Sequence, residues 1–338
     1  MERENSRNPI LKTRYSKLET MIQSYIQTLD EIRQDHVSGA SELSRRAAST
    51  FVLFPSQHQA QSKEEYFQGL LQLGVELISA QPHMASVFNL VNSILYSVEE
   101  LLPTLTLDEL LEFTKEQAEE FSYNSLNSIQ LIAQHGEKLV EDGLKIMTLS
   151  ASGSILAILK KAKETGKSFE VIVSESRPML EGQLLAKFLG IAKIPVTLIT
   201  DAAMGNFAKK ADIFLVGADS ISENSFVNKI GTLYLGLLSR EYRIPLYVAC
   251  ERSKFISSTW RPSSFASGDP QEILDQELLS VKAENPYFEE IPLLFCHQVI
   301  TNEGFFSPSD IQHYIRSTRL CKKLMECLEN LRLSTSHT

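Results

Sequence analysis

Cysteine is sparse in the 338-residue chain: Cys250, Cys296, Cys321 and Cys327 are its four, and none stands in CxxC spacing. That scarcity excludes a disulfide-stapled secreted scaffold, makes zinc or any other metal a poor expectation, and fits free thiols in a reducing compartment. Long apolar runs are missing too. No uncharged stretch approaches the ~18 residues of a membrane span, and Met1 to Asn8 is polar and charged where a leader would be apolar. Basic excess is also lacking, with 33 Lys and Arg against 42 Asp and Glu and a net charge of -9. Without a global positive field to hold a polyanion, direct nucleic-acid binding is not expected. The expectation is a soluble cytoplasmic protein with neither nucleic acid nor membrane as partner.

What is present is enough apolar residue for large cores, 43% of the chain, and at ~150 residues per domain a length for about two of them. From about residue 18 to 139 the pattern is helical. Met21, Ile22, Tyr25, Ile26, Leu29 and Ile32 recur every three or four residues and so share one face. Residues 41–48 read as a further helix, with Leu43, Ala47 and Ala48 on one side, and Pro55, Pro82 and Pro103 punctuate the region.

After Gly143 the texture changes to short β-rich runs alternating with helical stretches, the order that a parallel sheet with crossover helices requires. Strands are expected at 145–149, 169–174, 195–200, 213–216, 245–249 and 293–300, and helices at 154–165, 181–189, 203–209, 231–242 and 309–316. The fold class is α/β: an N-terminal helical domain over 1–140, then a Rossmann-like, doubly wound, mostly parallel sheet domain over 141–338. A Ser-, Pro- and Gly-containing insertion at about 256–289, with the single Trp260, lies over one end of the sheet. The last helix carries an apolar stripe of Leu320, Leu324, Cys327, Leu328 and Leu331, suited to docking on the chain's own core or to a subunit interface.

In an open parallel sheet, ligands bind outside the carboxyl ends of the strands, which directs attention to the residues just after each one. Ser150-Ala151-Ser152-Gly153-Ser154 follows the first strand and opens a helix whose free N–H groups suit a phosphate, although Ser is also an ordinary N-cap. Glu175-Ser176-Arg177-Pro178 follows the second, where Arg177 offers a planar fork to an anion or a clamp to Glu175. Asp201 follows the third and reads best as a helix cap. Gly217-Ala218-Asp219 follows the fourth and sets a carboxylate beside two small residues, the best acid/base candidate. Asn228-Lys229-Ile230-Gly231-Thr232 then opens a helix with an amide, an ammonium and free N–H groups, a sensible anion site. His297 follows a core-like run and reads as a buried, hydrogen-bonded histidine. No G-x-G-x-x-G follows the first strand, and neither G-x-x-x-x-G-K-[ST] nor G-x-S-x-G occurs, so dinucleotide dehydrogenase, P-loop NTPase and α/β-hydrolase drop out. A small phosphorylated sugar or nucleotide is the expected ligand, with no cofactor.

ESRPMLEG at 175–182, PVTLITDAAMG at 195–205, VGADSISENSFVNKIGT at 216–232 and PLYVACERSKF at 245–255 together resemble the translation initiation factor 2B alpha/beta/delta family. ENPYFEEIPL at 284–293 and ITNEG at 300–304 extend the likeness toward the alpha subunit. That family shares its fold with ribose-1,5-bisphosphate isomerase and methylthioribose-1-phosphate isomerase, which move a proton between two sugar carbons with a cysteine and an aspartate. The resemblance places the aspartate at Asp219 and the cysteine's turn at Thr148-Leu149-Ser150-Ala151, so that Ser150 stands where the thiol would be. A hydroxyl is far less acidic than a thiol, and the same transfer should be strongly impaired.

The isomerases' substrate-contacting Asn-Lys pair is implied at Asn228-Lys229 and their Gln-Gly at Glu181-Gly182, where a carboxylate near a phosphate adds repulsion. Their Arg-Gly-Ala phosphate loop corresponds to Ser38-Gly39-Ala40, without the arginine but with Arg45 and Arg46 close by. The candidate site is thus Asp219 and Ser150 for catalysis and Gly39, Ala40, Ser152, Gly153, Arg177, Glu181, Asn228 and Lys229 for substrate. Three readings follow. One is an alpha-subunit-like, sugar-phosphate-binding regulator with altered catalysis, acting as a homodimer and, by resemblance only, with translation-factor partners. The others are an aldose-ketose isomerase on a phosphorylated pentose and a scaffold that needs no pocket.

Overall fold

The computed structural model describes residues 24–35, 39–260, 265, 267–276 and 278–335, with the side chains of 332–335 left aside. Met21, Ile22 and Ser38 lie outside these residues.

Five helices open the described chain: α1 (Tyr25–Gln34), α2 (Ala40–Gln57), α3 (Lys63–Ala80), α4 (Ala85–Leu101) and α5 (Leu107–Gly136). Their starts follow from local chemistry. Ser24 and Ser62 accept backbone N–H groups at the heads of α1 and α3, and Thr106 with Glu109 closes a reciprocal capping box at the head of α5. Helix α2 corrects the shorter helix expected at 41–48, because it runs on through Pro55 to Gln57. A proline in the last turn costs one intrahelical bond, and burial of Phe51 and Phe54 in the bundle core outweighs that loss. This core joins Leu29, Ile32, Phe51, Tyr66, Leu70 and Leu90, all buried, to Cys321 and Leu324 near the carboxyl end.

The sheet part comprises β1 (Lys145–Leu149), α6 (Gly153–Glu164), β2 (Glu170–Ser174), α7 (Glu181–Ile191), β3 (Val196–Ile199), α8 (Met204–Ala208), β4 (Ile213–Gly217), β5 (Ser220–Ile221), β6 (Ser225–Lys229), α9 (Thr232–Tyr242), β7 (Leu246–Ala249), β8 (Phe288–Pro292), β9 (Gln298–Thr301), β10 (Gly304–Phe306), α10 (Pro308–Ser317) and α11 (Lys322–Thr335). The main sheet has the order β10-β9-β7-β4-β1-β2-β3, parallel except for β10. A second, antiparallel sheet has the order β5-β6-β8. Both faces of the main sheet are covered, which is why its strands read as continuous apolar runs. Met147, Phe214, Val216 and Val248 face one layer, and Ile146, Val171, Val173 and Leu215 face the other.

The expected strand at 293–300 is corrected by this topology. Its first residues, Leu293–Phe295, form a 3-10 turn between β8 and β9, and β8 lies upstream because Phe288–Pro292 pairs with β6. Helix α11 places Leu324 and Leu328 in the helical core and leaves Leu331 exposed. Among the described residues, no helix is long and apolar enough to cross a membrane. The chain leaves β1 for β2 and β3 on one side and returns to β4 on the other. The crevice between β1 and β4 is therefore the topological switch point, where such sheets bind ligands.

Candidate functional site

Three serine- and aspartate-bearing turns at the carboxyl ends of β1, β2 and β3 are tied together. The backbone N–H of Ser150 donates to Ser176 Oγ at 2.7 Å. The N–H groups of Ser176 and Arg177 donate to the two carboxylate oxygens of Asp201 at 2.8 and 2.7 Å. Asp201 thus clamps the neighbouring turn and is not the helix cap expected of it. Ser150, Ser176 and Leu180 all sit at positive φ, near 60°. Left-handed backbone at non-glycine residues is costly, and three of the six such residues among those described lie around this one crevice. Gly182 has a steric reason to be glycine, since a Cβ there would stand 1.7 Å from the carbonyl oxygen of Ser174.

From that clamp the site extends across the switch point. A Cβ on Gly217 would meet Ser152 Oγ at 3.0 Å and Asn228 Oδ1 at 3.7 Å, so β1, β4 and β6 converge there. Ser152 caps α6 through the distant N–H of Ile155, 3.5 Å away, and no protein acceptor takes the N–H of Gly153 or Ser154 among the described residues. Asn228 is buried and donates to Thr232 Oγ1 at 2.9 Å.

Asp219 lies just after β4, its N–H bonded to Val227 O at 2.8 Å. Desolvation raises its carboxyl above the usual 3.8, and the nearby ammonium groups of Lys254 and Lys229 pull partly the other way. A carboxyl that holds its proton more tightly than usual, beside two ammonium groups, is suited to acid/base work. Lys254 donates to Ala218 O at 2.7 Å. It was missed as a site residue, although it lies within the PLYVACERSKF segment that carries the resemblance.

Two expected anion contacts are already occupied by the chain itself. Lys229, buried with its side chain 5% exposed, pairs with Glu181 Oε1 at 2.8 Å, and its Nζ stands 4.9 Å from the Tyr287 ring centre. The head of α9 is filled by Glu289, whose carboxylate accepts from the N–H of Leu233 at 2.7 Å. The open anion site expected there is therefore corrected to an internally capped one. Only the PYFEE run hinted at it, and its pairing with β6 was not legible.

Arg177 is also corrected. It is exposed and donates to the carbonyl of Glu272 at 3.2 Å, so it engages the insertion and neither Glu175 nor the crevice. Gly39 is the exposed head of α2, with open space where a Cβ would be. Ala40 is buried, and its carbonyl accepts from Ser86. The next residue, Ser41, joins the helical layer to the end of β7, where it and Ser125 both donate to Glu251. Arg45 donates to Ser125, and Arg46 pairs with Asp35. His297 is exposed and edge-on to Tyr247, not buried. Beside Glu251 lies a separate polar cavity of about 440 Å³, lined among others by Asn92, Tyr96, Arg252 and Arg319.

No thiol stands in for the one replaced at Ser150. Burial pushes Cys250 and Cys296 each up to about 12, which leaves both as inert thiols. Among the described residues, no group of three or more His, Cys, Asp or Glu side chains is placed to hold a metal ion.

A helical layer set on a doubly wound sheet, with a half-buried carboxyl and two lysines beside the switch point, defines an α/β protein with a candidate ligand crevice. More particularly, the chain belongs to the initiation factor 2 subunit family, whose model matches residues 36–308. A ribose 1,5-bisphosphate isomerase from Archaeoglobus fulgidus is 33% identical over 294 residues, covering 85% of this chain and 91% of that protein. A putative translation initiation factor eIF-2B subunit 2-like protein from Pyrococcus furiosus is 34% identical over 286 residues, covering 84% and 96%. The crystal structure of the Pyrococcus horikoshii translation initiation factor eIF-2B superposes with a TM-score of 0.70 at 31% identity, covering 85% of this chain and 98% of that one.

Proposed function

We propose that this protein binds a small sugar phosphate at the β1/β4 crevice and acts as an eIF-2B-like regulatory protein whose isomerase chemistry is altered. The observation that carries this reading is the pairing of an intact Asp219, its carboxyl raised by burial, with Ser150 in the turn where a cysteine would serve. The aspartate and Lys254 remain suited to holding a sugar's hydroxyls. The step that needs a thiol lacks one, because a serine hydroxyl without a base does not ionise near neutral pH. Thermal-shift titration with ribose 1,5-bisphosphate, 5-methylthioribose 1-phosphate, hexose phosphates and nucleoside monophosphates tests it. A ligand at 100 times its Kd adds about 2.7 kcal/mol, a shift of several degrees, and no shift with any compound would defeat the reading.

The second reading, an aldose-ketose isomerase on a phosphorylated pentose, is favoured by the same Asp219 and by the 33% identity to a ribose 1,5-bisphosphate isomerase. In it Asp219 moves the proton, Ser150 assists, and Asn228 and Lys229 hold substrate. Turnover that disappears in Asp219→Asn would establish it, and turnover unaffected by that change would sink it.

The homodimer is part of the same proposal. Leu184, Phe188 and Ile191 on α7 and Leu198 on the edge strand β3 are 47%, 42%, 70% and 46% exposed. An open sheet edge beside an apolar helix face is a hazard for a monomer and is suited to a second copy of itself. Sedimentation equilibrium should show a dimer that Phe188→Asp weakens, and a monomeric wild type would remove this part. The division into a helical domain over 1–140 and a sheet domain over 141–338 is likewise proposed, supported by a helical core drawn mainly from the first part and sheet cores drawn mainly from the second, with Cys321, Leu324 and Leu328 crossing to the helical core and Ile132 to the sheet.

A further inference from the structure

We infer that Glu181 and Glu289 make this site selective for a sugar monophosphate over a bisphosphate. The inference rests on the sugar-phosphate reading and specifies its substrate class. Two places in the crevice offer fixed positive charge or free N–H groups on the β6 side: Lys229 and the head of α9. Each is already matched by a carboxylate of the chain. Glu181 Oε1 holds Lys229 Nζ at 2.8 Å, and Glu289 takes the N–H of Leu233 in the first turn of α9. The second oxygen of Glu181, Oε2, is buried with no hydrogen-bond partner.

A phosphate brought to this side would displace one carboxylate or lie beside both. Either course sets two like-charged groups within a few ångströms in a partly desolvated space, where Coulomb repulsion is strongest. A hydroxyl or an apolar substituent meets no such penalty, and a hydroxyl can donate to the orphaned Glu181 Oε2. On the β1 side the situation is the opposite. The N–H groups of Gly153 and Ser154 at the head of the twelve-residue α6 have no protein acceptor among the described residues. Ser152 and Asn228 flank that position across Gly217, and Lys254 stands at the end of β4. The crevice therefore presents one place for a phosphate and a self-neutralised place for the rest of the sugar.

The test is isothermal titration of the full chain with ribose 1-phosphate and with ribose 1,5-bisphosphate, for wild type, Glu181→Gln and Glu289→Gln. Gln keeps the shape of each side chain and a carbonyl oxygen for Lys229 or the Leu233 N–H, and unchanged circular dichroism verifies that each variant is folded. Wild type should bind the monophosphate at least tenfold more tightly than the bisphosphate. Glu181→Gln should move the ratio of the two Kd values at least tenfold toward the bisphosphate, and Glu289→Gln should move it the same way by a smaller factor. Equal or tighter binding of the bisphosphate by wild type, or a ratio unmoved in folded Glu181→Gln, overturns the selectivity while leaving the sugar-phosphate site in place. Failure of wild type to bind either compound overturns the site itself and the selectivity with it.

Discussion

The two flanks of the β1/β4 crevice are built on opposite principles. On the β1–β2–β3 flank the backbone does the work: turns at positive φ are held by serine hydroxyls and Asp201, and the N–H groups at the head of α6 are left without protein acceptors. On the β6–α9 flank the side chains do the work, and each positive group meets a carboxylate before any ligand arrives. One flank is pre-organised to receive charge and the other to refuse it. The position of Lys229 alone does not separate them, because the carboxylate of Glu181 reverses what Lys229 can offer.

The sharpest way to break the contrast is steric. Gly182 and Gly153 both open helices at the sheet's carboxyl edge, yet a Cβ at 182 would overlap a backbone oxygen at 1.7 Å while one at 153 meets nothing within 4 Å. Gly182→Ala should cost about 3 kcal/mol, the upper end for forced overpacking, and lower Tm by ~4 °C for a chain of this size. Gly153→Ala should leave Tm within about a degree, since it adds only a methyl to an exposed first turn. Equal losses in differential scanning fluorimetry would mean the α7 junction relaxes freely and is not a rigid part of the site.

Next in size is the self-neutralised pair. Lys229→Met removes the cation from a carboxylate that has one buried oxygen without a partner. Breaking a fully buried pair costs ~3–5 kcal/mol. Glu181 is 30% exposed, so solvent screening reduces this to roughly 2 kcal/mol. Urea denaturation should show that loss in Lys229→Met and recover most of it in Lys229→Met combined with Glu181→Met. A double variant no more stable than the single one would show that the two side chains do not act as a pair.

Much of the sheet was legible because burial on both faces leaves little ambiguity. Lys145–Leu149 is the strand read from the sequence, and Glu170–Ser174, Val196–Ile199 and Leu246–Ala249 lie within the expected runs. Residues 293–300 misled because an apolar run does not reveal whether it ends in a 3-10 turn. β8 was hidden in an acidic segment, PYFEEIP, that pairs only because β6 is its neighbour in space. The turns at the carboxyl ends of the strands could be placed from the sequence, whereas the charge pairing around them could not. Whether an exposed-looking glutamate meets a lysine 48 residues away depends on sheet order, and periodicity carries no information about that. Arg177 was misread for the same reason, since its partner, the Glu272 carbonyl, lies in the insertion.

The half-buried carboxyl just after β4 gives a pH test of the ground between the two flanks. Asp219 has its folded-state pKa raised above the unfolded value near 3.8, first through desolvation. A group raised in this way is better tolerated protonated. Its favourable contribution is fully present below the unfolded pKa and is lost as pH rises through the folded value. Asp219→Asn keeps the shape and removes the titration. Relative to wild type its stability should therefore rise from pH 4 toward pH 7, as measured by urea midpoints at each pH. A difference that is flat with pH would place Asp219 in a better-solvated setting than its burial implies.

The smallest effect should come from Arg177. Its guanidinium is exposed and reaches the Glu272 carbonyl at 3.2 Å, whereas its backbone N–H is what Asp201 holds. Arg177→Ala keeps that N–H, so the clamp on the β2 turn survives. An exposed side chain bonded to one carbonyl contributes little, and stability should stay within about 0.5 kcal/mol of wild type. The Kd for ribose 1-phosphate should likewise move by less than threefold. A tenfold weaker Kd would mean that Arg177 turns into the crevice when ligand binds. The receiving flank would then include a side-chain cation, and the contrast between a backbone-built flank and a charge-matched one would need redrawing.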